Sequence, residues 1–407
     1  MKINELFKYG ISALVMASAS SIALAKVPQV GDVIDANNVN EYADYLIESS
    51  IELIKKGQVL KVIPTSKEGA LSHPDFIAAT KRNSGKARLL DDYGTVGLED
   101  GSYWIGGLPF EEPKSALEVM ANFQFGNLAL QGDDWGSTRG AVRPISRIYS
   151  INKDGEIYKE LLFGGGQLSM GGRISIDPKP SIPGHEDELL RRYLSFLAPY
   201  DVKGIVTLDI QYQDQSKLPE SYVYLPSFRR VRQVSTANRA DSVAGTELTQ
   251  SDLGGFSDPL GLWTYKTLKK SQMLVAVKNE VAPLEKGAPT LYSGYFPQPQ
   301  RLVELREAYV IEATPRFDTV YSKKTMVIDA EIYRISDVTV YDKQGRLFKG
   351  ILQDWGLTEN GHPKPTWMLL LNFQTGSATL FSNHDLGVNV DLPLNIFNKS
   401  SMKDFSR

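Results

Sequence analysis

The chain alternates more than it cycles. Between residues 205 and 212 the apolar side chains Val206, Leu208, Ile210 and Tyr212 fall on one face and Thr207, Asp209 and Gln211 on the other, the two-residue period of a strand with one face against a core. Residues 213–219 have turn composition and lead into a second aromatic and branched run at 221–225, with Tyr222 and Tyr224, so the pair predicts a hairpin or meander. Residues 301–313 set Val303, Leu305, Tyr309 and Ile311 against Glu304, Arg306 and Glu312, and 325–335 and 338–341 alternate as well. Helical spacing is confined to four stretches. Residues 38–57 put Val39, Tyr42, Leu46, Leu53 and Ile54 on one stripe, with Asn37 or Asn38 to cap and Lys55-Lys56-Gly57 to stop. Residues 74–81, 115–123 and 186–197 are shorter candidates, the last with Leu189, Leu190, Tyr193 and Leu197 on one face and Pro199 beyond its end. The pattern predicts a mainly β protein with some α (α+β).

Residues 153–162 and 343–352 resemble each other, each with a glycine (Gly155, Gly345) where a turn needs positive φ. They predict two similar hairpins, from a duplication or from convergence. No charge run or low-complexity linker divides the chain, and the polar stretch 235–258 and the Pro- and Gly-rich stretch 282–300 read as domain breaks or as surface loops of one unit.

Residues 1–25 read as a cleavable export signal: Lys2 and Lys8 precede an apolar small-residue run, and Ala23-Leu24-Ala25 has the form a signal peptidase cuts. The run is interrupted by serines and shorter than the roughly 20 apolar residues of a spanning helix, and no cysteine follows to carry a lipid. The expected product is residues 26–407 as a single β domain, free in the periplasm. With no cysteine, stability rests on burial, for which 42% hydrophobic residues suffice. Lysine and arginine number 45 against 48 acids, so nothing draws the chain to nucleic acid.

Catalytic chemistry is poorly represented. His73, His185, His362 and His384 are dispersed with no metal-ligand spacing and read as surface or loop histidines. Gly164-Gly165-Gly166 and Gly171-Gly172 begin like a phosphate loop, but Arg173 stands where Lys-Ser/Thr is needed, so they read as a flexible loop and no cofactor is expected. Asp91-Asp92 and Asp133-Asp134, the latter beside Trp135, are acidic pairs. Neighbouring acids on one strand point to opposite faces and cannot form a glycosidase pair by themselves. Asp133-Asp134 therefore reads as a turn, with an envelope hydrolase acting on glycan or lipid as the alternative.

The most specific local feature is Tyr222-Val223-Tyr224-Leu225-Pro226-Ser227-Phe228-Arg229-Arg230-Val231-Arg232. It resembles a segment shared by outer-membrane lipoprotein-sorting-like proteins, the relatives of the LolA and LolB carriers, and more closely a longer envelope family of unknown function with that fold. The resemblance continues through residues 198–212, Ser251-Asp252-Leu253, Asp258 to Trp263, residues 306–313 and 328–331. It implies a strongly curved antiparallel sheet, a half-barrel covered by helices, with an apolar cavity for acyl chains between them. It also implies an inner-membrane exporter of the resistance-nodulation-division class and an outer-membrane acceptor as partners. Exposing a methylene to water costs about 0.8 kcal/mol, so a sixteen-carbon tail faces a barrier on the order of 10 kcal/mol to crossing an aqueous compartment. A carrier therefore needs an apolar trough rather than catalytic groups. The expected lining is Val206, Leu208, Ile210, Tyr212, Tyr222, Tyr224, Val303, Leu305, Tyr309 and Ile311, with Arg229, Arg230 and Arg232 at the rim for an anionic head group or a partner. The same apolar faces also suit a dry core, and the arginines suit solvent or the acids Asp209 and Glu220. A structural subunit docked on an exporter, or an outer-membrane barrel, are the remaining readings.

Overall fold

The computed structural model describes residues 26–125, 130–137, 143–279 and 291–406; the export signal and residues 282–290 of the stretch 282–300 lie outside them. Short strands β1 (Val33–Ile34), β2 (Leu60–Ile63), β3 (Arg88–Leu89) and β4 (Val96–Gly97) accompany helices α1 (Glu48–Lys55), α2 (Pro74–Asn83) and α3 (Ala116–Phe125). There follow β5 (Asp134–Ser137), β6 (Pro144–Ile151), β7 (Ile157–Ser169), β8 (Glu188–Ala198), β9 (Val206–Tyr212), β10 (Glu220–Leu225) and β11 (Arg230–Val234). The second half holds β12 (Trp263–Val275), β13 (Arg301–Pro315), β14 (Tyr321–Asp329), β15 (Ile335–Asp342), β16 (Leu347–Leu357), β17 (Pro363–Asn372), β18 (Ala378–Asn383) and β19 (Leu386–Val388).

All but β3 and β4 belong to one sheet. Its antiparallel backbone runs β11-β10-β9-β8-β7-β6-β18-β17-β16-β15-β14-β13-β12. β2 joins β13 in parallel, and β5 bridges β7 and β19. The end strands β11 and β12 do not pair with each other, so the sheet is open. It is also strongly curved: Ile145 of β6, Leu190 of β8, Met326 of β14, Val338 of β15 and Met368 of β17 share one apolar cluster. Strands that far apart in sheet order reach a common interior only when the sheet bends round it. The expected mainly β class with a curved, helix-covered half-barrel is what the chain forms.

Local chemistry explains the covering elements. α3 starts at a Ser115 cap, its Oγ accepting from the Glu118 N–H at 3.1 Å, while the Glu118 carboxylate accepts from the Lys114 N–H. The Asn122 amide then clamps the backbone of Phe110 in both directions. The stretch 235–258 packs against the sheet. Its 3-10 turn Gln250–Gly255 plugs the interior, because buried Lys324 donates to Asp252 Oδ1 at 2.8 Å and Tyr321 to Oδ2 at 2.6 Å, holding that carboxyl down at about 2.

Four sequence expectations change. The helix expected over 38–57 is two pieces, a 3-10 helix Val39–Tyr45 and α1, parted by extended backbone at Leu46 and Ile47. Leu46 and Ile47 pack into different clusters, which a straight helix would not allow. The helix expected over 186–197 is strand β8. Both of its faces are buried, so the polar half of the alternation is missing and chance i, i+3 and i+4 apolar pairs mimic a helix. Gly164-Gly165-Gly166 lies inside β7 rather than in a loop. A Cβ on Gly165 would stand 2.7 Å from the Tyr193 carbonyl and one on Gly164 2.9 Å from that of Arg143, so glycine admits the close strand approach of a tight bend. Asp134 opens β5 rather than sitting in a turn. The two echoing segments do form matching hairpins: Asn152 Oδ1 and Asp342 Oδ1 each accept two backbone N–H groups, and Gly155 and Gly345 have φ of +82° and +74°.

Candidate functional site

Between the inner face of the sheet and its cover lies a hollow. Its cavity volume is about 140 Å³, and it opens to solvent at its mouth. The floor comes from β6–β9 and β16–β18, with Ile145, Phe163, Leu194, Trp355, Met368 and Phe381; α3 contributes Phe123, and the plug 250–257 contributes Leu253 and Phe256. Most of the wall is hydrocarbon, the character of a small-molecule pocket.

Part of the polar lining, Gln167, Arg192 and Gln211, comes from the adjacent strands β7, β8 and β9. Gln167, Arg192 and Asp209 stand opposite one another in register, and Gln211 follows on the same face of β9. Arg192 donates through Nη2 to Asp209 at 3.2 Å and to Ser257 Oγ at 3.0 Å. Asp209 is shared with Arg239, whose Nε donates to Asp258 at 2.6 Å. Burial, above all, pulls the Arg192 guanidinium below its ordinary pKa, with Arg239 adding to the effect, while Arg239 and Arg192 together hold the Asp209 carboxyl below the usual range.

None of the ten residues expected to line a cavity borders this hollow. Val206, Leu208, Ile210, Tyr222 and Tyr224 pack on the opposite face with Tyr193, beneath Ile396, Phe397 and Met402 of the C-terminal segment. Tyr212 borders that cluster and donates to Glu220 at 2.7 Å. Val303 and Leu305 join Ile34, Val39, Tyr42 and Val62, whereas Tyr309 and Ile311 reach the interior cluster without bordering the hollow. Alternation gives the two faces of β9 but not their orientation, and here the polar face looks inward. Arg229, Arg230 and Arg232 lie on or beside edge strand β11, exposed, with no ion pair among the described residues. Arg232 stacks on Phe228, 58% exposed, at 5.1 Å. Asp209 and Glu220, their conceivable partners, are engaged elsewhere.

The acidic pair beside Trp135 is spent on the backbone. Asp133 accepts the N–H groups of Ile174, Ser175 and Ile176, and Asp134 those of Val390 and Leu392. Arg173, where a phosphate loop would need lysine, donates to the carbonyls of Ser169, Ile176 and Pro178. Among the described residues no group of His, Cys, Asp and Glu is placed to hold a metal.

Two histidines distant in sequence do meet. His73, which caps α2, and His362, in the β16–β17 turn, stack with ring centroids 3.6 Å apart. His362 is 2% exposed rather than a surface residue; its Nε2 accepts from Asn389 at 3.2 Å and its Nδ1 has no hydrogen-bond partner among the described residues. Burial and the neighbouring ring push its pKa to about 4. The unfolded chain takes up this proton near pH 6.5, so the contribution is intact above that pH, is lost as pH falls to about 4 and is constant below; the full span is on the order of 3 kcal/mol. Urea midpoints of the wild type and His362→Gln should converge as pH falls from 7 to 4, and parallel curves would remove His362 as the cause.

The arrangement is an apolar hollow on the inner face of a curved, open sheet, crossed on β7, β8 and β9 by Gln167, Arg192 and Gln211. Over residues 33–401 the chain matches the family described as "Protein of unknown function (DUF1329)", and it belongs to that family. This is the longer family that the 222–232 segment resembles. Three solved structures are similar. A putative outer membrane lipoprotein-sorting protein domain from Vibrio parahaemolyticus is 20% identical over 67% of this chain and 92% of its own, TM-score 0.47. A DUF1329 family protein from Desulfovibrio piger is 18% identical over 67% and 92%, TM-score 0.47. A LolA superfamily protein from Nitrosomonas europaea is 15% identical over 71% and 99%, TM-score 0.44. No curated protein matches the sequence.

Proposed function

We propose that this protein is a periplasmic carrier or chaperone for a lipid or another long hydrophobic molecule, passed from an inner-membrane exporter toward the outer membrane. The observation that carries the reading is the solvent-open hollow walled by aromatic and aliphatic side chains. Such a space is costly to leave in a core, since unfilled volume forfeits about 24 cal/mol per Å³ of packing. A hydrocarbon guest recovers that packing and is itself withdrawn from water. The exposed Phe228 with Arg229, Arg230 and Arg232 is the proposed contact with a partner or with anionic head groups during transfer.

Native mass spectrometry of protein purified from the envelope without detergent, followed by lipid extraction, tests the reading. The expected result is a population carrying an adduct of lipid mass that extraction removes. Recovery of empty protein alone, together with no binding of a fluorescent acyl probe, overturns it.

A further inference from the structure

The polar groups at the hollow say what kind of guest it takes, an inference that rests on the carrier reading. Most of them are committed within the wall. Ser146 bonds Asn383, Gln353 donates to the carbonyls of Asp354 and Trp367, and Gln211 donates to Asp209 and the Ser257 carbonyl. Two are not. The Gln167 side chain, in a residue only 6% exposed, borders the hollow with no hydrogen-bond partner among the described residues. Directly across the strand pair is Arg192, 8% exposed. A guanidinium has five N–H donors; both contacts of Arg192 leave from Nη2, and Nε and Nη1 have no acceptor among the described residues.

These donors border the hollow and are free to bond the head of a guest that enters it. The ion cluster behind Arg192 does not supply an acceptor for them. Asp209 is divided between Arg192 and Arg239, and Asp258 faces Arg239 at 2.6 Å rather than Arg192. Bonds from a guanidinium are strongest to carboxylate and phosphate oxygens. Beyond this polar row the wall turns to Phe163, Leu194, Met368 and Phe381.

We propose that the hollow selects an anionic amphiphile, an apolar body bearing a carboxylate or phosphate head, and that the head accepts hydrogen bonds from Arg192 and the Gln167 amide. The apolar wall supplies affinity for any tail. The donor pair supplies the preference for a charged head, and its positive end also orients the guest so that the head lies against β7 and β8.

Displacement of a fluorescent acyl probe from the delipidated full chain tests this, with palmitate, hexadecyl phosphate, hexadecanol and inorganic phosphate as competitors. The two anionic amphiphiles should bind at least about tenfold tighter than hexadecanol, and inorganic phosphate should not compete. Arg192→Gln should bring the anionic ligands to the level of hexadecanol and leave hexadecanol unchanged. Gln167→Leu removes an amide without touching the ion cluster and should lower only the anionic affinities, by several-fold; it keeps the test decisive if Arg192→Gln fails to fold. Equal binding of palmitate and hexadecanol, equal losses for both in Gln167→Leu, or inorganic phosphate competing as well as palmitate each overturn the head-group proposal while the carrier reading stands. Failure of every tailed ligand to displace or bind overturns both.

Discussion

Leu194→Trp should abolish acyl-probe binding, a loss of more than tenfold, while the protein melts within a few degrees of the wild type. Leu194 reaches the hollow from β8, opposite Gly165 of β7, so an indole there has only the guest's space to enter. Overpacking a filled core costs about 1–3 kcal/mol, and the unfilled space keeps the cost toward the lower end. The informative partner is Leu208→Ala. Leu208 is buried among Tyr193, Tyr222 and Phe397 on the other face of the sheet, so its truncation should cost about 2–5 kcal/mol of stability and leave probe affinity as it is. Urea denaturation and probe titration on the two variants separate the effects. If Leu208→Ala loses binding and Leu194→Trp keeps it, the guest sits on the face that the alternation of β9 first suggests, and the hollow is not its site.

Arg301→Met should be the most damaging single change to stability, about 3–5 kcal/mol, because it strands buried carboxylates without their counter-ion. Arg301 donates to Asp354 at 2.6 Å, to Asp337 at 2.8 Å and to the Ser336 carbonyl at 3.1 Å, tying the start of β13 to β15 and β16. Asp354 already shows the strain of the location: burial outweighs Arg301 and raises its pKa to about 6. A carboxyl raised in the folded state favours folding below the unfolded value near 3.8, and that contribution is lost as pH rises through about 6. Without Arg301 the folded value moves higher still. Denaturant unfolding of the variant should therefore show a smaller deficit at pH 5 than at pH 7.5, and a deficit independent of pH would place the damage elsewhere, for instance in lost packing against Trp367.

Outside the 222–232 segment, several residues that carry the family resemblance are nodes of this kind and do not border the hollow. Asp258 accepts from Arg239, Ser251 and the Trp263 indole, Asp252 takes Lys324 and Tyr321, and Arg306 pairs with Glu304, Asp329 and Glu331. A buried charge has few tolerable substitutes, so such residues make a recognisable pattern. They therefore identify the fold without identifying the guest. The lining of the hollow has the opposite character. Phe163, Leu194, Met368 and Phe381 are ordinary apolar residues drawn from four strands, and nothing in their spacing distinguishes them from a filled core. Gln167 and Arg192 give no local signal either, since their pairing exists only in the register of β7 against β8.

The amino-acid order by itself determined that the chain is mainly strand, where β9, β10, β13 and β15 run, where α2 and α3 begin, and that two glycine hairpins match. These follow from backbone periods of two and 3.6 residues and from caps within a few positions of the elements they start. Only the tertiary structure decided which face of β9 looks inward, that the glycine run of β7 is a bend rather than a loop, that β8 is a strand, and that His73 meets His362. Each of these depends on what lies across the sheet from a residue, and a sequence pattern with two equivalent faces carries no information about which of them the rest of the chain will cover.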